Sequence, residues 1–219
     1  MNTRFSWSNH LFNFIAVILG VYLAFYMSER AAQHKEREES NVFMQSLITD
    51  LKEDLKTYQD YQIPVNQEQL GQINQLVEEL ANDKLDGLQS GMTAIFQVEN
   101  YAASSSTYSS LKSSAKLGLI KDLDLQKDLN NYYEGLATES QLKGQFQADY
   151  FTEELLGWSV SNVDLITMEL VKTDELIVLR NHLIIYASLI DQKLENYKMI
   201  VEQSTALIES LEKALPEDE

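Results

Sequence analysis

The sequence predicts an all-α protein: a single N-terminal transmembrane helix followed by an elongated antiparallel helical bundle with long coiled-coil-like helices. Three observations predict it. Leu11 to Met27 is apolar or aromatic except for Asn13. Only two prolines and eight glycines occur among 219 residues, so little in the chain interrupts a helix. Beyond the apolar run, apolar side chains recur at steps of three and four, the spacing that lines one face of a helix.

The anchor comes first. At 1.5 Å per residue its 17 positions span about 26 Å, enough for a thin or locally adapted bilayer. Trp7 at one end and Tyr22 with Tyr26 at the other suit an interfacial aromatic belt. A cleavable signal peptide is the competing reading. It would have only Arg4 in its basic region, and no small-x-small cleavage site follows the apolar run. An uncleaved anchor is therefore the expectation. Within it, Ala16, Gly20 and Ala24 recur every four residues, a small-residue face that lets another membrane helix approach closely. Orientation stays open on charge. Arg30, Lys35 and Arg37 follow the anchor, but four glutamates are interleaved with them.

The expected segments are a short tail (1–10), the membrane helix (11–27), a charged juxtamembrane helix (28–63) and the rest of the helical domain (64–219). Met44, Ile48, Leu51, Leu55 and Tyr58 form the first seam, up to Pro64, which should interrupt or kink the helix. Leu70, Ile73, Val77 and Leu80 resume it until the turn-rich NDKLDG at 82–87. Ile95, Phe96 and Val98 suggest a short helix. The serine-rich YAASSSTYSSLKSSAKLGLI at 101–120 reads as a loop and short helix whose serines cap and pack small; a hydroxyl-rich ligand surface is the alternative.

Asp122 can cap a helix carrying Leu125, Leu129, Tyr132, Leu136, Leu142, Phe146, Tyr150 and Leu155, ended by the breaker-like WSVSNVD at 158–164. The last helix has the clearest pattern. Leu176, Leu179, Leu183, Tyr186, Ile190, Leu194, Tyr197, Val201, Ser204, Ile208, Leu211 and Leu215 form a 3/4 series with one four-four slip around Ile190. Thr173, Asp174 and Glu175 offer a cap and Pro216 a stop. Roughly 40 residues make a helix about 60 Å long, which needs partners along its length. Its seam is the expected surface for self-association or partner docking.

The formal charge is -17, and it belongs wholly to the part after residue 40, which holds 13 basic and 30 acidic residues. Such a domain repels nucleic acid and anionic headgroups, so a nucleic-acid partner is excluded. The absence of cysteine removes disulfides, thiolate nucleophiles and zinc–cysteine sites. Three histidines, His10, His34 and His182, lie far apart in sequence, and no Glu-x-x-His pairs appear. Glu78–Glu79 and Glu153–Glu154 read as solvated helix faces rather than metal ligands. No phosphate-binding, nucleophile-elbow or dinucleotide motif is present. Neither a catalytic residue nor a metal or cofactor is expected. Eleven tyrosines are many; Tyr58, Tyr132, Tyr186 and Tyr197 fall at or near seams, as core-edge rings or as the lining of an aromatic pocket.

Gly20 with Ala24, then SERAAQHKEREES, and TYSSLKSSAKLGLIKDLDLQKDLNNYY at 107–133 resemble the patterns of an uncharacterised family of bacterial single-pass membrane proteins, classed as a domain of unknown function. In the second stretch Tyr108, Leu111, Ser114, Leu117, Ile120 and the Tyr132–Tyr133 pair carry the likeness. YMSE replaces that family's polar Asn/Trp-rich stretch, and its basic tail is reduced to Arg4. The resemblance implies a bacterial inner-membrane protein with its helical domain on the periplasmic side; it implies no activity. The functional expectation is a non-enzymatic, membrane-anchored helical scaffold or accessory subunit, whose partners are the lipid bilayer and another membrane protein or itself. A ligand-sensing tethered bundle that signals through a partner is the alternative, and an anchored enzyme the third.

Overall fold

The computed structural model describes residues 7–82, 84, 88–172 and 175–216, with side chains from residue 11 onward except 88–90. The chain is helical almost throughout. Helix α1, Trp7–Thr57, runs unbroken out of the apolar segment. A π-helical turn, Tyr58–Gln62, joins it to α2, Ile63–Ala81. The expected interruption at Pro64 does not occur. Gln62 and Ile63 keep right-handed helical angles, and the Ile63 N–H bonds the Tyr58 carbonyl five residues back. The one-residue widening re-pairs the backbone just before the residue that has no N–H to give.

Helix α3 (Leu88–Ile95) ends before Phe96 and Val98, which lie in an extended connector rather than in the expected short helix. Helix α4 is Ser106–Ser113. It closes with Ala115 at φ 56°, the Ala115 N–H reaching Lys112 O and the Lys116 N–H reaching Leu111 O, a left-handed cap without glycine. Asp122 caps α5 (Leu123–Asn130) as the sequence predicts, its carboxylate accepting from the Asp124 and Leu125 N–H groups. Two further π turns, Asn131–Leu136 and Phe151–Leu155, carry the helix through α6 (Ala137–Tyr150) into α7 (Leu156–Asn162). WSVSN is thus the end of a helix, and the break comes at Val163. A two-residue hairpin follows, β1 (Val163–Asp164) on β2 (Glu169–Leu170), with Val163 opposite Leu170. Helix α8 spans Leu176–Ala214 and ends before Pro216. Glu175 occupies its N-cap position without a side-chain cap bond; Thr173, Asp174 and most of NDKLDG lie outside the described residues.

The first π turn of the α5–α7 rod corrects a face prediction. Leu142 and Phe146 are exposed, while Ser140, Gly144 and Gln147 are buried. One inserted residue turns everything downstream by about 100°, so the leucine series rotates out and a small, polar series rotates in.

Helix α8 packs along α1 and α2 in the opposite direction. Tyr58 meets Tyr197 with centroids 4.9 Å apart, and the Gln147 amide bridges Gln69 of α2 to Tyr186 of α8. Two apolar cores result. The one nearer the N-terminal apolar segment gathers Leu47, Ile48 and Leu51 of α1, Tyr108 and Leu111, Leu125 and Leu129, and Ile200, Leu207 and Leu211 of α8. The far one gathers Ile73, Leu76 and Leu80 of α2, Met92 and Ile95, Leu155, and Leu179, Leu183 and Ile190 of α8. A fully buried leucine contributes about 1.5–3 kcal/mol relative to exposure, so these cores hold the helices together.

Candidate functional site

Between the two cores lies a layer of buried polar side chains. On α8 the inward positions are Leu183, Tyr186, Ile190, Lys193, Tyr197, Ile200, Ser204, Leu207 and Leu211, an unbroken 3/4 series. Its fourth member is a lysine that is 0% exposed. Admitting Lys193 removes the four-four slip in the apolar series. Helix α2 meets it with Asn66 and Gln69, the preceding π turn with Gln62, α1 with Asp54, and α6 with Ser140 and Gln147, all buried.

These groups hold the connector between α3 and α4. The Gln69 amide donates to Ala94 O at 2.8 Å and also to Gln97 O. The Tyr186 hydroxyl donates to Ile95 O at 3.3 Å. The Lys193 ammonium donates to Glu99 O at 2.7 Å and to the Gln147 side-chain oxygen. The Gln147 amide in turn donates to Tyr186 at 3.1 Å and to Gln69 at 3.4 Å. At the other edge, Asp54 accepts from the Tyr101 hydroxyl at 2.7 Å and from the Ser104 N–H at 3.0 Å. Gly144 completes the seat: a Cβ there would stand 1.8 Å from Asn100 Oδ1. An irregular segment in a helical interior has no ladder for its carbonyls, and here Gln69 of α2 with Tyr186 and Lys193 of α8 supply the donors.

Burial sets the electrostatics. Desolvation pushes the pKa of the Lys193 ammonium down to about 8 from 10.5, against the opposing pull of the Glu99 charge. Burial raises Asp54 above the ordinary carboxylate value despite the hydrogen bonds from Tyr101 and Ser104, and the neighbouring Asp50 and Glu53 charges add to the rise. Burial first, and then the bond to Asp54, pushes Tyr101 up to about 12. Desolvation likewise raises Tyr58, Tyr132, Tyr133 and Tyr197. The layer can store charge and titrate. Its donors on Gln69, Tyr186 and Lys193 point at the chain's own carbonyls.

The residues singled out in the sequence are placed as follows. Ala16, Gly20 and Ala24 lie on exposed, unbroken helix, and a Cβ at Gly20 would meet nothing within 4 Å. Tyr22 and Tyr26 are exposed, with the Arg30 guanidinium 5.9 Å from the Tyr26 ring centre; the Trp7 and His10 side chains lie outside the described residues. An 18-residue apolar window in this helix has mean hydropathy 2.0 and is 0% buried, long and apolar enough to be a candidate membrane span. The α8 seam is used up inside the chain. Leu179, Leu183, Tyr186, Ile190, Leu194, Tyr197, Ile208 and Leu211 are buried, and Leu176 and Val201 half-buried, so a partner would meet a different face.

The seam tyrosines pack against other aromatic rings in the interior, Tyr58 lying 5.1 Å from Tyr101 and Tyr132 4.8 Å from Tyr133. His182 is bonded through Nδ1 to the Tyr150 hydroxyl at 2.9 Å, and His34 faces Glu38 at 3.4 Å. Ser113 and Ser114 bond back to the Ser110 carbonyl within α4. Glu153 and Glu154 are exposed, and no metal-sized group of His, Asp and Glu occurs among the described residues. A cleft of about 730 Å³ opens between Gln33–Met44 of α1, the 119–122 turn and the end of α8, lined by Arg37 and Lys121 and equally by Glu36 and Asp122, with Lys121 3.8 Å from Glu36.

The polar layer escaped the sequence reading because apolar periodicity passes over polar residues. The four-four slip was its signal, for it marked the place where a charged residue stood in an apolar row.

A family model described as a family of unknown function (DUF6090) matches residues 13–176, from the apolar segment to the first residue of α8. No curated protein and no solved structure matches the chain.

Proposed function

We propose, for a chain that belongs to this family of unknown function, a non-enzymatic role as a bacterial single-pass membrane protein, whose elongated antiparallel bundle serves as a scaffold or accessory subunit of a membrane assembly. The observation that carries the reading is the continuity of α1 from the apolar segment to Thr57 without a hinge. A rigid helix fixes both height and orientation of the domain above the bilayer, which suits a platform. The net charge of -17 further disfavours collapse onto anionic lipid. The Ala16, Gly20 and Ala24 face packs against another membrane helix, and the bulk of the chain stands on the periplasmic side of the inner membrane.

The test is purification of the full-length chain from its native membrane in mild detergent, with the composition and mass of the particle measured. A stoichiometric foreign protein or a defined homo-oligomer supports the reading. A monomer that turns over a substrate overturns it. Sidedness is read by labelling single cysteines placed at exposed sites in this cysteine-free chain; protection from an impermeant reagent in intact spheroplasts would put the domain in the cytoplasm instead.

The cleft at the 119–122 turn, lined by both cations and carboxylates, favours a second reading, in which the domain senses a small polar ligand and signals through a partner. Ligand-dependent melting of the full-length protein tests it, and flat melting curves across a library of polar metabolites would exclude it.

A further inference from the structure

Between the apolar segment and the bundle, α1 is exposed from Ser28 to Glu38 and carries charges of both signs. Folding sorts them. The Lys116 ammonium bonds Glu39, and that of Lys121 lies 3.8 Å from Glu36, so these two carboxylates turn to the bundle. Arg30, His34 and Arg37 share another face. At 100° per residue they fall within an arc of about 60°, with Glu36 and Glu39 about 120° and 180° round from Arg30. Glu29 stands about 100° from Arg30, and Lys35 about 140°. A shallow hollow of about 570 Å³ is lined by Arg30, Ala31, Gln33, His34 and Arg37, and among the described residues no carboxylate lines it. The carboxylate that touches its edge is Glu38, 3.4 Å from His34 Nδ1.

The hollow begins where the apolar run ends. Arg30 is three residues beyond Met27, about 4.5 Å along the axis, which falls within a headgroup layer about 5–7 Å deep. Helical side chains lean toward the N-terminus of their helix, and in α1 that is the apolar end. The Arg30 guanidinium shows the lean, lying 5.9 Å from the ring centre of Tyr26, one turn nearer the apolar segment. His34 and Arg37, one and two turns farther on, lean the same way. The long stem of Arg37 lets its charged head reach down toward the interface.

We propose that this hollow binds the phosphate of an anionic phospholipid headgroup, held chiefly by Arg30 and Arg37. That assignment rests on the anchoring reading, which sets the hollow at the lipid surface. Guanidinium forks match pairs of phosphate oxygens, and Gln33 adds a neutral donor. The same lipid repels the acidic domain beyond residue 40, where the whole net charge of -17 resides. Attraction at the base and repulsion above it then hold α1 upright, which is what a platform at fixed height requires.

The full-length chain in phosphatidylcholine vesicles, with a trace of spin-labelled phosphatidylglycerol or spin-labelled phosphatidylcholine, tests this. Electron spin resonance of the lipids immobilised by the protein should show phosphatidylglycerol preferred at least about threefold. Arg30→Gln with Arg37→Gln should bring the preference below about 1.5-fold, while Lys35→Gln, an equal loss of charge per residue on another face, should leave most of it. Arg30→Lys with Arg37→Lys keeps the charge without the forks and should fall between. All of these side chains are exposed, so the variants should melt within about two degrees of wild type.

Equal association of the two lipids overturns the proposal. So does a loss with Lys35→Gln as large as with Arg30→Gln, since diffuse charge would then explain the preference. If about 10 mM inorganic phosphate abolishes the preference, the hollow takes a soluble anion and the lipid assignment is wrong. Alkaline extraction of the same vesicles separates the two readings. A chain released by alkali overturns the anchoring reading and the lipid site with it, whereas a retained chain without lipid preference overturns the lipid site alone.

Discussion

The two apolar cores and the polar layer between them are built on the same helices, yet they obey different rules. In the cores, α1, α2 and α8 present leucine and isoleucine, and many substitutes of similar volume would serve. In the layer, the same helices present Asp54, Gln69 and Lys193, and each is tied to a named carbonyl or hydroxyl. The cores supply stability without much geometry. The layer supplies geometry at a cost in desolvation, fixing where the 96–105 connector crosses the interior. The difference teaches that exchangeable apolar contacts hold the helices together, while the polar layer ties single atoms of the connector to single side chains.

The largest effects should come from the cores. Leu207→Ala in the core nearer the N-terminal apolar segment and Leu183→Ala in the far one each empty a fully buried site. Each should cost about 2–5 kcal/mol in denaturant unfolding of the detergent-solubilised chain. If the domain is one cooperative unit, both variants lower a single transition. Two separate transitions would show that the polar layer insulates the cores rather than joining them.

Next in size is the titration of Lys193. Its pKa is about 8 in the folded chain, against the ordinary 10.5. Between those values the unfolded chain holds more protons, so stability rises with pH there; the penalty is fully present below about pH 8. The raised tyrosines act oppositely above about pH 10, where the unfolded chain loses protons first. The useful window is therefore pH 8 to 10. Lys193→Met keeps the length and removes the charge, and both proteins share the tyrosines. Wild type should gain about 2–3 kcal/mol on the variant between pH 7 and pH 10. A pH-independent difference would mean that the lysine is not desolvated.

Glycine-to-alanine exchange separates the regions by sign. At Gly144 the new methyl would collide with Asn100, so the connector must lift; the cost should be about 1–3 kcal/mol. At Gly71, on the exposed side of α2, nothing lies within 4 Å, and alanine should stabilise by about 0.5–1 kcal/mol. Thermal unfolding of the two variants checks both, and a shift of the same sign would refute the close seat at Asn100.

Legibility in the sequence follows the same division. The apolar run, the long final helix, the Asp122 cap and the buried seam of α8 could be read from periodicity and cap chemistry, because burial of apolar surface imposes the 3/4 spacing directly. The π turns could not. The first stands just before Pro64. The other two add a residue through hydrogen-bond geometry with no such mark, and so the apolar series points Leu142 and Phe146 inward where Ser140 and Gln147 stand. The layer was hidden for a related reason. A polar residue at a seam looks like an interruption until its partners, distant in sequence, are known: Lys193 and Glu99 are 94 positions apart. Ile177, Val178, Ile184 and Ile185 make a second apolar face of α8 that is exposed, and which of the two faces turns inward depends on packing.

The smallest effect isolates burial from chemistry. Lys52 of α1 holds Glu212 of α8 at 2.7 Å, the same length as the bond from Lys193 to Glu99 O. Lys52 is joined to a full carboxylate and Lys193 to neutral oxygens, so a count of charges would rank the Lys52 pair higher. Solvent reverses that ranking. The Lys52 side chain is 55% exposed, water screens its ion pair, and ordering two long side chains offsets most of the attraction. Lys52→Met should change stability by less than about 1 kcal/mol, with a difference that shrinks in high salt. The Lys193→Met difference should survive salt, because ions do not reach a side chain that is 0% exposed. Equal salt sensitivity of the two variants would mean that water enters the layer, and the distinction between layer and surface would then fail.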